Sequence, residues 1–222
     1  MRSLKTILNK IRKELTSKEK VRETAQQNMR KATSLSKQAI LLIHQERFKD
    51  AEEQLKKAEN MIMKIKETST NHPEITHSGL FSDALQEYSE ANVFIKLVEE
   101  SEFPTPEEIE VPSISYVLAL ADVIGELRRL ALDALRKGDT KKSEDCLKTM
   151  DEMYIELTAM DESYMLVPGL RRKCDVARKI IEITRGDVTQ EIRRSALEER
   201  LNSFERHMRK GIKRSKSSRK SA

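Results

Sequence analysis

Between residues 80 and 97 the sequence LFSDALQEYSEANVFIKL places Leu80, Asp83, Glu87, Glu90, Phe94 and Leu97 on one helical stripe, apolar at both ends and acidic in the middle. A stripe bounded by apolar residues in this way is not a simple solvated face. Residues 113–135, SISYVLALADVIGELRRLALDAL, repeat the arrangement, with Asp122 and Glu126 one turn apart beneath Leu118. Unpaired carboxylates are costly to bury at neutral pH, so these acids call for a cation, a basic side chain or a raised pKa. A divalent metal is the simplest such partner.

Other chemistries find little support. There is no Gly-rich phosphate loop, no H-E-x-x-H and no G-x-S-x-G. His44, His72, His77 and His207 are scattered, which disfavours a triad or a Glu-x-x-His di-iron site. Cys146 and Cys174 both fall inside helical patterns, which implies no thiol chemistry and fits a reducing, cytoplasmic setting. The N-terminus lacks an apolar leader core, and no apolar run approaches the roughly 18 residues of a membrane span.

The elements that must position the acids are long helices. Charged residues make up 36% of the 222, aromatics only 4%, and there are six glycines, five prolines and no tryptophan, the profile of an all-α chain. From residue 4 to about 47 there is neither Gly nor Pro, so one helix is expected there, projecting at its sparse, basic start and packed at its apolar end. A second helix follows from 49 to about 68. Pro73 is suited to open the third, which runs to about 100 and carries the first acid set. A three-proline loop leads to the fourth, with Ser113 as N-cap. The fifth is expected from about 141 to 161 after a Gly138 stop, with Thr140 or Asp139 as its cap, and the sixth from 170 onward with an interruption at 185–187. Residues 1–210 read as a single all-α domain, and 211–222 as a basic, disordered tail. Net charge is +5, but eight Lys and Arg between Arg206 and Lys220 face no acid, leaving 34 basic against 37 acidic residues elsewhere.

DALQEYSEA, then YVLALADVIGELRRLALDAL, then LRRKCDVARKIIEI together resemble the translin superfamily, and within it the translin-associated factor X branch of a microbial member. The likeness spans most of residues 20–200. It implies an all-α bundle of six to seven long antiparallel helices that assembles into a hollow homo-oligomer such as an octamer. It implies a Mg²⁺-dependent endoribonuclease on single-stranded RNA, with Mn²⁺ as a substitute metal and single-stranded DNA as a further ligand. By that resemblance Glu87, Glu90 and Asp122 are the catalytic metal ligands and Glu126 a fourth acid, while Asp83 is an extra candidate from spacing alone. Arg128, Arg129, Arg171, Arg172 and Lys173 are candidates for holding backbone phosphates. The segment ITHSGLFSD stands where translin carries a His- and Arg-rich stretch, so nucleic-acid contacts of that stretch do not transfer. Few aromatics mean limited base stacking and weak sequence selectivity.

Two rivals remain at this level. In a non-catalytic, translin-like binder of single-stranded RNA or DNA the acids would be structural, paired with basic neighbours across helices. An all-α nucleoside-triphosphate pyrophosphatase would want E-x-x-E followed by E-x-x-D, whereas the second pair here is D-x-x-x-E.

Overall fold

A computed structural model describes residues 3–70 and 72–218, with side chains described up to residue 208. Its helices are α1 (Leu4–His44), α2 (Phe48–Ser69), α3 (Gly79–Glu100), α4 (Ser113–Arg136), α5 (Thr140–Ala159) and α6 (Leu170–Ser218). The fold is all-α, with no strand among the described residues, as the composition requires. No described helix is long and apolar enough to cross a membrane.

α1 is held by a heptad seam. Ala25, Met29, Ala32, Ser36, Ala39 and Ile43 recur at alternating steps of four and three and are all buried. Residues 3–20 of the same helix are exposed. A tight connection in which Glu46 takes a left-handed φ of 59° returns the chain into α2, whose Ala51, Leu55, Ala58, Ile62 and Ile65 face the core. α1 packs on α2 and α3, α3 on α4, α4 on α5 and α6, and α5 on α6. α3 is therefore covered on several sides, and Phe81, Leu85, Tyr88, Val93, Phe94 and Ile95 are all buried. Phe94 and Ile43 lie in the core, while Leu41 is exposed.

Several boundaries differ from the sequence-based expectation. Pro73 opens only a short 3₁₀ turn, Pro73–Ile75. α3 begins at Gly79, where the Ser78 hydroxyl accepts from the Phe81 N–H at 3.3 Å, because a side-chain cap satisfies an orphan donor that proline cannot. Pro112, not Ser113, is the residue before α4, its extended backbone turning the chain into the helix. α5 starts one residue early, capped by Asp139, whose carboxylate accepts from the Lys142 N–H at 2.9 Å.

α6 shows no interruption at 185–187. A helical glycine costs about 1 kcal/mol, which the anchors beside Gly186 outweigh. Arg185 Nη2 donates to both Asp151 carboxylate oxygens at 2.6 Å and 2.8 Å, Thr184 accepts from Arg128 at 2.7 Å, and Val188 is buried. The backbone of the expected tail is helical to Ser218, and residues 219–222 lie outside the described residues.

Candidate metal and nucleic-acid site

Along the acid stripe of α3, Asp83 is exposed, Glu87 half-buried and Glu90 buried where neighbouring helices cover α3. Glu90 is only 9% exposed. Its carboxyl is pushed up to about 8, chiefly by burial and then by Asp122, Glu87 and Glu126, in that order, while Lys173 pulls it down. The four carboxylates predicted to act together thus share one field, drawn from α3 and α4. Glu90 has no hydrogen-bond or ion-pair partner among the described residues.

The other three acids each have a basic or amide partner from a distant part of the chain. Asp122 accepts from the Gln86 amide at 2.5 Å and from the Lys173 ammonium. Glu126 accepts from His44 Nε2 at 2.6 Å, with an Arg129 guanidinium nitrogen 4.0 Å away. Glu87 lies 3.1 Å from Lys37 Nζ. The His44 side chain is 3% exposed and its ring sits 5.0 Å from that of Phe94. Its Nδ1 is buried without a partner among the described residues.

Three residues of this cluster, His44, Lys37 and Gln86, were not singled out by sequence reasoning. Gln86 had a signal, since it stands inside the L-Q-E-Y motif next to Glu87. His44 and Lys37 had none, because nothing local marks a residue of α1 as the partner of one in α3 or α4. Asp83 is exposed and is not among the main groups that raise the Glu90 carboxyl, so spacing alone overreached there.

The basic candidates divide. Arg128 is turned into the protein, donating to Thr184 Oγ1 at 2.7 Å and lying 3.6 Å from Asp187. It ties α4 to α6. Lys173 is spent on Asp122. Arg129, Arg171 and Arg172 are exposed. Arg129 stands beside Glu126, whereas Arg171 and Arg172 have no ion-pair partner among the described residues.

Among the described residues, no three His, Cys, Asp or Glu side chains converge closely enough to hold a metal ion by themselves. Mg²⁺ does not need such a cage, since it keeps several waters and takes one or two carboxylates plus substrate phosphates. Glu87, Glu90, Asp122 and Glu126 are oxygen donors of the type a hard cation takes, and of the four only Glu90 has no hydrogen-bond or ion-pair partner among the described residues.

A model of the Translin family matches residues 3–182. An uncharacterized protein of Methanocaldococcus jannaschii is 33% identical over 196 residues, which cover 87% of this chain and 86% of that one. The crystal structure of AfC3PO superposes with a TM-score of 0.74 at 37% identity, covering 83% of this chain and 96% of that one. A complex of AfC3PO with duplex RNA gives 0.73 at 36%, covering 83% and 95%. Apo-NeC3PO, at 22% identity and a TM-score of 0.73 over 83% and 96%, shares the fold.

Proposed function

The chain belongs to the Translin family, and from that premise we propose that it binds RNA and cleaves single-stranded RNA as a metal-dependent endoribonuclease of the factor X kind. The observation that carries this reading is the gathering of Glu87, Glu90, Asp122 and Glu126 from two helices into one partly buried field in which Glu90 has no partner. A purely structural cluster would give its most buried acid a basic partner, as it does the other three.

Glu87, Glu90, Asp122 and Glu126 would hold Mg²⁺, or Mn²⁺ in its place. The cation would supply an activated water and offset charge on the attacked phosphate. The rest is done by the chain itself. Gln86 orients the Asp122 carboxylate through its amide, and His44 fixes that of Glu126, so the oxygens are held before any ligand arrives. Phe94 beneath His44 keeps water from that side. Arg129, Arg171 and Arg172 would hold backbone phosphates without reading bases. Self-association into a homo-oligomer belongs to the same reading, as does the ability to take single-stranded DNA. AfC3PO has been captured on duplex RNA, so both strand states belong in the assay.

One observation favours a second reading, a non-catalytic binder. Asp122, Glu126 and Glu87 already have Lys173, His44 and Lys37 as partners. The two readings give opposite signs on the same variants. As a metal site, Glu90→Gln and Asp122→Asn lose cleavage of single-stranded RNA in Mg²⁺ or Mn²⁺ by about 100-fold or more, and unfold in chelator at the wild-type temperature or above. As architecture, Asp122→Asn strands Lys173 and loses about 1–3 kcal/mol of stability. Variants that cut normally, or that lose activity only by unfolding, refute the nuclease.

A further inference from the structure

Both long helices run on past the bundle, and each carries an apolar stripe there. On α1 the stripe is Leu4, Leu8, Ile11 and Leu15; on α6 it is Leu197, Leu201, Phe204 and Met208. Each of these side chains is between 45% and 69% exposed. The spacing is the same in both, steps of four, three and four, which is the seam of a coiled coil. On α1 it shares the register of the buried seam from Ala25 to Ile43 inside the bundle, from which Lys18 and Arg22 separate it. The free end thus offers the same kind of surface that already holds helices elsewhere in the chain.

The two ends leave the bundle on opposite sides. The free part of α1 precedes Ala25, which neighbours the turn at Glu74 and Ile75. α6 runs alongside α4 in the same sense, with Lys173 at Asp122 and Thr184 at Arg128. α4 in turn heads for the far end of α1, where Lys137 meets Glu46 at 3.0 Å. Each stripe is therefore out of reach of the other within one chain.

We infer that the α1 stripe of one copy packs antiparallel against the α6 stripe of a second copy, in a head-to-tail contact. Antiparallel pairing sets Leu4 on Met208, Leu8 on Phe204, Ile11 on Leu201 and Leu15 on Leu197, so all four layers match. The flanking charges agree: Arg12 comes opposite Glu198, and Glu14 opposite Arg200. The seam stops after four layers, where Lys18 would face Arg194. Pairing α1 with another α1 fails on charge, since the parallel form opposes Glu14 to Glu19 and the antiparallel form opposes Lys5 to Arg12. Both stripes are accounted for by one contact only if α1 meets α6. Such a contact is heterologous, so successive copies close into a ring or extend. The α6 stripe lies beyond residue 182, outside the part matched by the family model.

This inference deepens the proposed self-association and is independent of the catalytic reading. The test compares the mass in light scattering of three proteins: the full chain, an α1 variant (Leu8→Glu with Ile11→Glu) and an α6 variant (Leu201→Glu with Phe204→Glu). Each variant is expected to lose the largest species of the full chain. Mixed one to one, they are expected to recover joined species absent from either alone, because the intact α6 of the first meets the intact α1 of the second. Arg12→Glu should weaken the assembly and Glu198→Arg in the same chain restore it. Wild-type mass in either variant, or a mixture that gives nothing new, overturns the contact while leaving self-association through other faces standing. Loss of mass in the α6 variant alone would point to α6 pairing with itself and likewise overturn it. A monomeric full chain refutes both this contact and the self-association, and leaves the nuclease assay unaffected.

Discussion

The acid cluster and the two free helix ends break the same rule in opposite directions. In the first, carboxylates stand on an inward face where α3 is covered by its neighbours. In the second, Leu, Ile, Phe and Met stand in water where the helices have no neighbour. A chain selected only for a stable monomer would exchange the two sets. The cluster keeps its charges because each of three acids has a partner and the fourth is held near neutrality by burial. The ends have no such compensation within the chain, and an exposed apolar stripe is a surface waiting for a partner. Violations inside a bundle point to chemistry, and those outside it to assembly.

Three measurements would break or sharpen that contrast. The largest effect is expected at Phe94→Ala, which removes a fully buried ring under His44 and should lower stability by about 3–5 kcal/mol in chemical denaturation. A loss below 1 kcal/mol would mean that the floor of the acid cluster is not packed as described.

The next concerns Glu90. Its carboxyl is raised to about 8 in the folded state from an ordinary 4.5, so the native protein binds the proton more tightly than the unfolded chain. Native stability from this group is then full below pH 4.5 and declines as pH rises through 8. Glu90→Gln removes that decline. In chelator, the stability of the variant relative to wild type should climb between pH 5 and 8 by roughly 1–3 kcal/mol. A difference independent of pH would show that neither burial nor its three acidic neighbours raise the Glu90 carboxyl.

The smallest effect is expected at the free ends. Leu201→Glu replaces a side chain that makes no core contact within the chain, so the unfolding of dilute, dissociated protein should shift by less than about 0.5 kcal/mol. A larger loss would mean that the end of α6 folds back on its own bundle.

Much of the fold is legible in the sequence because helices announce themselves locally. The heptad steps of α1, the apolar stripe of α2, the Gly138 stop with its φ of 80° and the Asp139 cap all depend on residues within a few positions of one another. The acids of α3 and α4 are legible for the same reason, since i, i+3 and i, i+4 spacing alone puts each pair on one face. Asp83 shows the limit of that argument: it shares the stripe by spacing yet faces solvent, because a stripe wider than the covering helices spills over its edge.

By itself, then, the sequence determined an all-α chain and two acid pairs at helical spacing, both of them short-range patterns. Tertiary structure alone decided who meets whom. His44 reaches Glu126 across 82 positions, Lys173 reaches Asp122 across 51 and Gln86 reaches Asp122 across 36. Packing likewise turned Arg128 inward to Thr184 across 56 positions and carried α6 unbroken through Gly186. Such pairings depend on how α1, α3, α4 and α6 stack on one another, and helical periodicity carries information only about one helix at a time.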